Sequence, residues 1–93
     1  MSIDIEYAEK RFAERLRSER EKARISQLDL SLKAGLSQNL INFIETGKRT
    51  PTLHTIFKIC NALNINPGQL FLDVDQDKQD AKEKVLSLIH RYM

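Results

Sequence analysis

A cluster of side-chain amides is the most distinctive chemical feature of this 93-residue chain. Gln38, Asn39 and Asn42 fall within five residues, and the aromatic Phe43 follows them directly. An amide carries a hydrogen-bond donor and an acceptor on one planar group. Neighbouring amides therefore suit the recognition of a ligand by paired hydrogen bonds, and a large aromatic adds apolar contact. The stretch indicates binding chemistry where a solvated helix normally carries Lys and Glu.

Residues that perform catalysis or hold metals are sparse. The two histidines, His54 and His90, are far apart in the sequence, no Asp/Glu pair lies in an apolar setting, and no glycine-rich phosphate loop is present. Cys60 lies six residues from His54, which is not a zinc-ligand spacing, and two further ligands are lacking. Within the apolar string IFKICNAL, Cys60 is expected to be a small buried hydrophobe. The sequence predicts no enzyme, no metal site and no cofactor.

The composition fits one small domain. A hydrophobic fraction of 41% is enough for a single modest core. No apolar run approaches the ~20 residues that cross a bilayer, and the acidic N-terminus lacks the pattern of a signal peptide, so a cytoplasmic protein without a membrane partner is expected. Residues 1–71 hold 11 Lys/Arg against 8 Asp/Glu, whereas residues 72–93 hold 4 against 5. The first segment is therefore better suited to meet a polyanion.

Two short helices around a glycine turn are predicted to position the amides. Ser26 is a good N-cap for a helix over residues 27–34, and Gly35 supplies the left-handed stop. Ser37 caps the next helix, which carries the amides and runs over residues 38–45. Two short helices joined this tightly, packed on a longer helix, are the parts of a helix-turn-helix.

A longer helix before this pair and an apolar helix after it are also predicted. Residues 7–23 show the periodicity of an amphipathic helix, with Ala8, Phe12, Leu16 and Ala23 on one face. A loop at residues 48–51 follows the amide helix, since Pro51 disfavours helix at the residue before it. Residues 53–64 form an almost wholly apolar helix, which predicts burial on more than one side.

The last third of the chain is expected to hold a short fifth helix and a separate amphipathic one. Asn66 followed by Pro67 is an N-cap with proline at the first helical position, which predicts a helix at residues 67–71. Residues 73–80 are acidic and polar, typical of a linker. Residues 81–93 again have helical periodicity, with an apolar stripe formed by Ala81, Val85, Leu88, Ile89 and Tyr92.

The run from Phe12 to Phe71 resembles the Cro/repressor (Xre) type of bacterial and phage DNA-binding domain. The match covers about 60 residues and includes Ser26-Gln27, Ala34-Gly35, Ser37-Gln38, Ile41, Ile44-Glu45, Gly47-Lys48, Pro51, Leu53, Ile56, Ile59, Ala62-Leu63 and Leu70-Phe71. The resemblance implies an all-α fold, a five-helix repressor-type helix-turn-helix domain with an additional C-terminal helix.

This resemblance divides the chain into four parts. Residues 1–10 are an N-terminal extension and the start of helix one, and residues 11–72 are the helix-turn-helix DNA-binding domain. Residues 73–80 are the acidic linker, and residues 81–93 are the C-terminal amphipathic helix, a candidate dimerisation element.

The resemblance further implies that the amide helix enters the major groove of double-stranded DNA. Its base-contacting positions would be Ser37, Gln38, Asn39, Leu40 and Phe43, with Asn42 on the flank. Gln and Asn can bind adenine in a bidentate manner, a contact worth roughly 1–3 kcal/mol of discrimination. Family members commonly carry polar or basic residues in place of Leu40 and Phe43. Contact with a thymine methyl is expected there, and packing back onto the core is the alternative.

Phosphate contacts are implied at the edges of this helix pair, because such contacts fix register without reading sequence. The matching positions are Gln27, Thr46, Lys48 and Arg49. Arg20 and Glu45 match family positions that pair an arginine on helix one with the glutamate at the end of the recognition helix. They are expected to form a structural ion pair that holds that helix at a fixed angle.

Three further positions depart from the family pattern. Glu19 stands where an apolar residue is usual, and Leu28 and Leu32 stand where polar residues are usual. The two leucines are four residues apart, so they form an exposed apolar strip unless the N-terminal extension or the C-terminal helix covers them. On helix one, Arg15, Arg17 and Lys22 are expected to belong to a solvated face, and contact with DNA phosphate is the alternative.

The function implied is a sequence-specific transcriptional regulator, a homodimeric repressor or controller that reads a palindromic operator. A two-fold dimer reads two half-sites about one DNA turn apart. Val85, Leu88, Ile89 and Tyr92 are favoured as the dimer contact, and packing on the chain's own core is the alternative. The competing function is an antitoxin or adaptor that grips a protein partner, such as a toxin, through Phe43, Leu40 and the C-terminal helix.

Overall fold

The computed structural model describes residues 2–71, which form four α-helices followed by a 3-10 helix. The elements are α1 (Ile5–Lys22), α2 (Gln27–Ala34), α3 (Gln38–Glu45), α4 (Leu53–Leu63) and the 3-10 helix (Pro67–Leu70). The all-α prediction is confirmed for this part of the chain, in which no strand occurs. A count of five α-helices is not confirmed, because the fifth element has 3-10 geometry. The predicted linker at 73–80 and helix at 81–93 lie outside the described residues.

The ends of the two short helices agree with the predictions. The Ser26 hydroxyl accepts a hydrogen bond from the Asp29 N–H, and the Ser37 hydroxyl accepts one from the Leu40 N–H, both at 3.0 Å. Each bond satisfies a backbone donor that a helix N-terminus leaves without an intrahelical partner. Gly35 ends α2 with a φ of +69°, in the left-handed region that glycine enters without steric cost. α3 therefore starts at a fixed angle after a very short turn.

α1 begins earlier than predicted. Asp4 is its N-cap, with a carboxylate oxygen 3.1 Å from the Tyr7 N–H, so the helix starts at Ile5 and not at Tyr7. Residues 1–10, interpreted as an extension and the start of helix one, thus include the first six residues of α1. At the other end Ala23 is the C-cap and is exposed, and its predicted place on the apolar face was wrong.

The core lies where α1, α2, α3 and α4 meet the 3-10 helix. Its most deeply buried side chains are Leu16, Leu30, Ile41, Ile44, Ile59 and Leu70. Burial of such a Leu or Ile side chain stabilises a fold by roughly 1.5–3 kcal/mol. Cys60 is also part of this core, as predicted, and burial raises the pKa of its thiol.

The prediction that α4 is buried on more than one side was wrong for the described part of the chain. Ile56, Ile59 and Cys60 face the core, but Leu53 is 67% exposed and Phe57 is 50% exposed. Leu53 and Phe57 are four residues apart, so they lie on one face of the helix. The apolar composition of α4 indicated burial, but it could not show which element would cover each face of the helix.

The strip on α2 is likewise exposed. Leu28 is 49% exposed and Leu32 is 72% exposed. The N-terminal residues do not cover it, because Ile3 and Ile5 lie beside Phe12 at the other end of α1. Of the two predicted covers, the N-terminal extension is therefore ruled out.

Candidate nucleic-acid interface

α3 has one solvent face and one buried face. Successive residues of an α-helix are about 100° apart, so Gln38, Asn39 and Asn42 share the side that Phe43 also occupies. Gln38, Asn39 and Phe43 are exposed and Asn42 is half-buried. Ile41 and Ile44 are buried on the opposite side, and Glu45 is buried at the edge of the amide face. The helix thus turns its amides outward while its apolar residues anchor it.

Leu40 falls on the inner half of α3. It is half-buried and packs against the core, next to Ile44 on the helical wheel. This placement matches the core-packing alternative considered for Leu40. Phe43 differs, because 37% of it is exposed and it does not belong to the core.

The N-terminus of α3 combines exposed polar groups with backbone N–H donors. Ser37 is exposed, and its hydroxyl oxygen accepts the Leu40 N–H. The first N–H groups of any α-helix lack intrahelical acceptors and carry the positive end of the helix dipole. Beside Ser37 and Gln38 this end of the helix can donate to an anion such as a phosphate.

A bidentate ion pair fixes the C-terminal end of α3. Arg20 Nε lies 2.7 Å from Glu45 Oε2, and Arg20 Nη2 lies 3.1 Å from Glu45 Oε1. Arg20 Nη1 also donates to the backbone oxygen of Ile25 at 2.8 Å. The hydrogen bond with Glu45 raises the pKa of Arg20. The expected pair is therefore present, and it joins α1, the α1–α2 turn and α3.

Gln27 extends this network from α2. Its Nε2 donates to Glu45 Oε1 at 3.1 Å and to Asn42 Oδ1 at 3.3 Å. An amide nitrogen has two hydrogens, so both side-chain donors of Gln27 are engaged within the protein. Its remaining amide oxygen is an acceptor and does not bind phosphate. A phosphate contact at Gln27 must therefore come from its backbone N–H, which lies in the first turn of α2.

The loop after α3 is anchored on Phe43. The backbone oxygen of Phe43 accepts hydrogen bonds from the N–H groups of Lys48, at 2.8 Å, and Arg49, at 3.1 Å. Thr46, the C-cap, donates its hydroxyl to the Asn42 backbone oxygen at 2.8 Å. Thr46, Lys48 and Arg49 are all exposed. Gly47 provides the left-handed residue of this turn with a φ of +77°, so the two basic residues stay close to the solvent face of α3.

The sequence interpretation missed a second polar network, centred on Glu19. This carboxylate is buried, and Oε2 lies 3.1 Å from Lys22 Nζ and 3.8 Å from Arg15 Nε. Gln69 Nε2 donates to Glu19 Oε1 at 3.3 Å, and Arg15 Nε donates to the Gln69 backbone oxygen at 3.0 Å. Arg15 is thus not on a purely solvated face. The spacing of Glu19 from Arg15 and Lys22 by four and three residues was the available signal.

Metal-binding clusters and membrane spans are both absent from residues 2–71. No group of three His, Cys, Asp or Glu side chains is placed to hold a metal ion there. None of the helices in this part of the chain is both long and apolar enough to cross a bilayer.

This chain is similar in sequence to a known family and to two of the curated proteins. The helix-turn-helix family model matches residues 16–70. An uncharacterized HTH-type transcriptional regulator of Archaeoglobus fulgidus is 33% identical over 63 residues, covering 68% of this chain and 90% of the relative. The uncharacterized HTH-type transcriptional regulator y4dJ of Sinorhizobium fredii is 30% identical over 60 residues, covering 64% of this chain and 77% of that protein.

A solved structure agrees with these relatives. The restriction-modification controller protein C.AhdI from Aeromonas hydrophila is 36% identical, with a TM-score of 0.65, covering 66% of this chain and 92% of that one. The matched region contains α2, the glycine turn and α3, together with the core that orients them. This chain therefore belongs to the Cro/repressor (Xre) family of helix-turn-helix DNA-binding transcriptional regulators.

Proposed function

We propose that this protein binds a palindromic operator as a homodimer, with α3 in the major groove of each half-site, and acts there as a repressor or controller of transcription. The observation that carries the proposal is the division of α3 into an outward amide face and an inward face fixed by Arg20 and Glu45. A helix held this rigidly can present Gln38 and Asn39 in one register. The likeness to a restriction-modification controller supports the regulatory role.

Base recognition is assigned to the outer face of α3. Gln38 and Asn39 are the direct readers, because each exposed amide can meet the paired donor and acceptor of an adenine edge. Ser37 and Asn42 flank them, and Phe43 supplies apolar contact with a thymine methyl. Leu40 is a weaker candidate, since it packs against the core.

Phosphate contacts are assigned to the edges of the same surface. Lys48 and Arg49 lie in the loop anchored on Phe43, and Thr46 lies beside them. Gln27 contributes its backbone N–H at the start of α2. These contacts would set the register of α3 without selecting a sequence.

Dimerisation is supported by the exposed surface of α4. Leu53 and Phe57 form an apolar pair on one helix face, and a two-fold axis would bring the same pair from both copies together. We take this pair as the centre of the dimer contact. The stripe of Val85, Leu88, Ile89 and Tyr92, favoured from the sequence, is the second candidate and lies outside the described residues.

Selection of bound sites from random double-stranded DNA tests the proposal. The full chain should enrich two related half-sites in inverted orientation. Gln38→Ala should relax the preference at one position of each half-site and weaken binding by about 1–3 kcal/mol. Ser18→Ala is the matched control, because Ser18 is a half-buried polar residue of α1 and lies on neither α3 nor α4. If Gln38→Ala selects the same site as the native chain, α3 is not the recognition helix.

A protein-binding role on the same fold is the competing function, and the exposed strip of Leu28 and Leu32 favours it. Salt dependence separates the two functions. Operator binding should weaken with salt, log K falling against log salt with a slope of about −0.9 for each phosphate contacted. Lys48→Ala should reduce this slope by about one phosphate contact. An apolar protein contact would show no such slope, and Leu32→Asp would abolish that contact.

A further inference from the structure

An apolar groove of about 300 Å³ opens at the N-terminal end of α1. Its walls come from the start of α1, from α3, from α4 and from the last described residue. The large apolar lining residues are Ile3, Ile5, Phe12, Ile44, Ile56 and Phe71. Ile3 and Ile5 are largely exposed, and Phe71 is 46% exposed although its ring packs at a tilt against Phe12, with centroids 5.1 Å apart. Three large apolar side chains around one concavity are costly to leave in water.

One wall of this groove is the loop that carries the proposed phosphate contacts. Gly47, Arg49 and Pro51 line it, and Thr50 donates its hydroxyl to Glu9 Oε2 at 3.0 Å. That hydrogen bond ties the loop to α1. An occupant of the groove would therefore touch the same loop from its inner side.

We propose that residues 81–93 of the same chain fill this groove. The described chain ends on it, because Phe71 is both the last described residue and part of its lining. Residues 72–80 separate Phe71 from Ala81. Nine residues span up to about 30 Å when extended, so the segment can return to the groove from which the chain departs.

The sequence of residues 81–93 needs such a surface. A helix of this length is marginal in water by itself, and most helical stability in proteins comes from packing of an apolar face. The predicted stripe offers Val85, Leu88, Ile89 and Tyr92 on one side. The rest of the helical circumference carries Lys82, Glu83, Lys84, Ser87, His90 and Arg91, which suit solvent, together with Leu86.

The two other apolar surfaces of the described domain fit this segment less well. Leu28 with Leu32 and Leu53 with Phe57 are each a pair of side chains on a single helix face. The groove instead has walls from several elements, so it can surround a stripe of four or five side chains. Phe71, the residue that precedes the segment's connection, lines the groove and belongs to neither of the two pairs.

Paramagnetic broadening of isoleucine methyl signals in the full chain tests the proposal. Ser87→Cys places a nitroxide on the polar side of the segment, and the buried Cys60 is checked for labelling in the native chain. The Ile3, Ile5, Ile44 and Ile56 methyl signals should broaden. Ile25 should stay sharp, because it follows the far end of α1, a helix about 27 Å long. Broadening at Ile25, or at none of the four groove methyls, overturns the proposal.

A mixed sample separates the chain's own segment from a partner's. Nitroxide-bearing chains without isotope are mixed with isotope-labelled chains of the native sequence, which carry no nitroxide. The groove signals of the isotope-labelled chains should then stay sharp. Broadening there would mean that the segment belongs to a second copy, which contradicts the proposal.

A matched pair of substitutions tests the apolar contact itself. Leu88→Asp, made in the nitroxide-bearing chain, should abolish the broadening, because a carboxylate would enter the apolar groove. His90→Asp, on the polar side, should leave the broadening unchanged. Retention of the signal pattern in Leu88→Asp would show that the stripe does not face the groove. None of these measurements involves DNA, so they stand whether or not the operator proposal holds.

Discussion

At the scale of single residues, the strongest expectation concerns Arg20. Its guanidinium is paired with a Glu45 side chain that is 2% exposed, and it also bonds the Ile25 carbonyl. Removal of one partner of a buried pair leaves the other charge without compensation, at a cost of about 3–5 kcal/mol. Arg20→Ala should therefore lower the melting temperature clearly and weaken operator binding, as measured by thermal unfolding and by titration with DNA.

Arg17 is the control for this substitution. Its Nε lies 3.5 Å from Glu21 Oε2, but both side chains are more than half exposed. Exposed pairs contribute at most about 1 kcal/mol, so Arg17→Ala should be close to native in stability. Equal melting temperatures for Arg20→Ala and the native protein, with unchanged operator binding, would reject a structural role for the buried pair.

Phe43 carries a second expectation at this scale. Because it is exposed on α3 and outside the core, Phe43→Ala should cost little stability. It should weaken operator binding at a thymine-bearing position, since the apolar contact with the methyl group is lost. Selected sites and affinities should be compared with those of Tyr7→Ala, an exposed aromatic residue on α1. If both variants select the same site as the native chain, Phe43 does not contact a base.

At the scale of elements, the sequence predicted the helix ends that are set by residues close to them in the chain. Ser26, Ser37 and Gly35 act through hydrogen bonds and backbone angles within a few residues of themselves, so their types were sufficient to place both short helices. Leu53 and Glu19 depend on which distant elements pack against them. The leucine was expected to be buried and is exposed, whereas the glutamate is buried because Gln69, fifty residues away, closes over it.

The same distinction applies to the candidate site. The outward position of Gln38 and Asn39 follows from helical periodicity once the buried positions of α3 are known. The engagement of both Gln27 side-chain donors could not be predicted, because it depends on how closely α2 and α3 approach each other. The sequence left two positions open for Leu40, facing DNA or packing on the core. On the helical wheel this residue lies at the boundary between the exposed and the buried face of α3.

The turn between α2 and α3 gives a test of how the pair is held. Gly35 has a φ of +69°, and a Cβ built there meets no atom within 4 Å. The cost of Gly35→Ala is therefore conformational, roughly 1–2 kcal/mol for a left-handed residue with a Cβ. Gly35→Asn should be less destabilised, because asparagine enters this region more readily. Chemical denaturation of the three proteins measures the order, and an alanine variant as stable as the native chain would contradict it.

At the scale of the whole molecule, the surfaces left apolar by the domain have different expected partners. The groove beside Phe71 is assigned to the chain's own C-terminal segment, and the α4 face to a second copy. If both assignments hold, the groove and the dimer contact are independent. The segment then affects DNA binding only through the loop that carries Lys48 and Arg49, because that loop is one wall of the groove.

The proposed dimer contact on α4 can be tested by placing a charge at its centre. Phe57→Asp should convert a sedimenting dimer to a monomer, because a two-fold contact would bring two carboxylates together in an apolar setting. Operator affinity should fall with it, since the monomer reads one half-site. Leu32→Asp, an equally polar change on α2, should leave the sedimentation unchanged. A chain shortened after Asp75 should also remain a dimer. If the shortened chain is a monomer while Phe57→Asp is a dimer, the contact belongs to Val85, Leu88, Ile89 and Tyr92 instead.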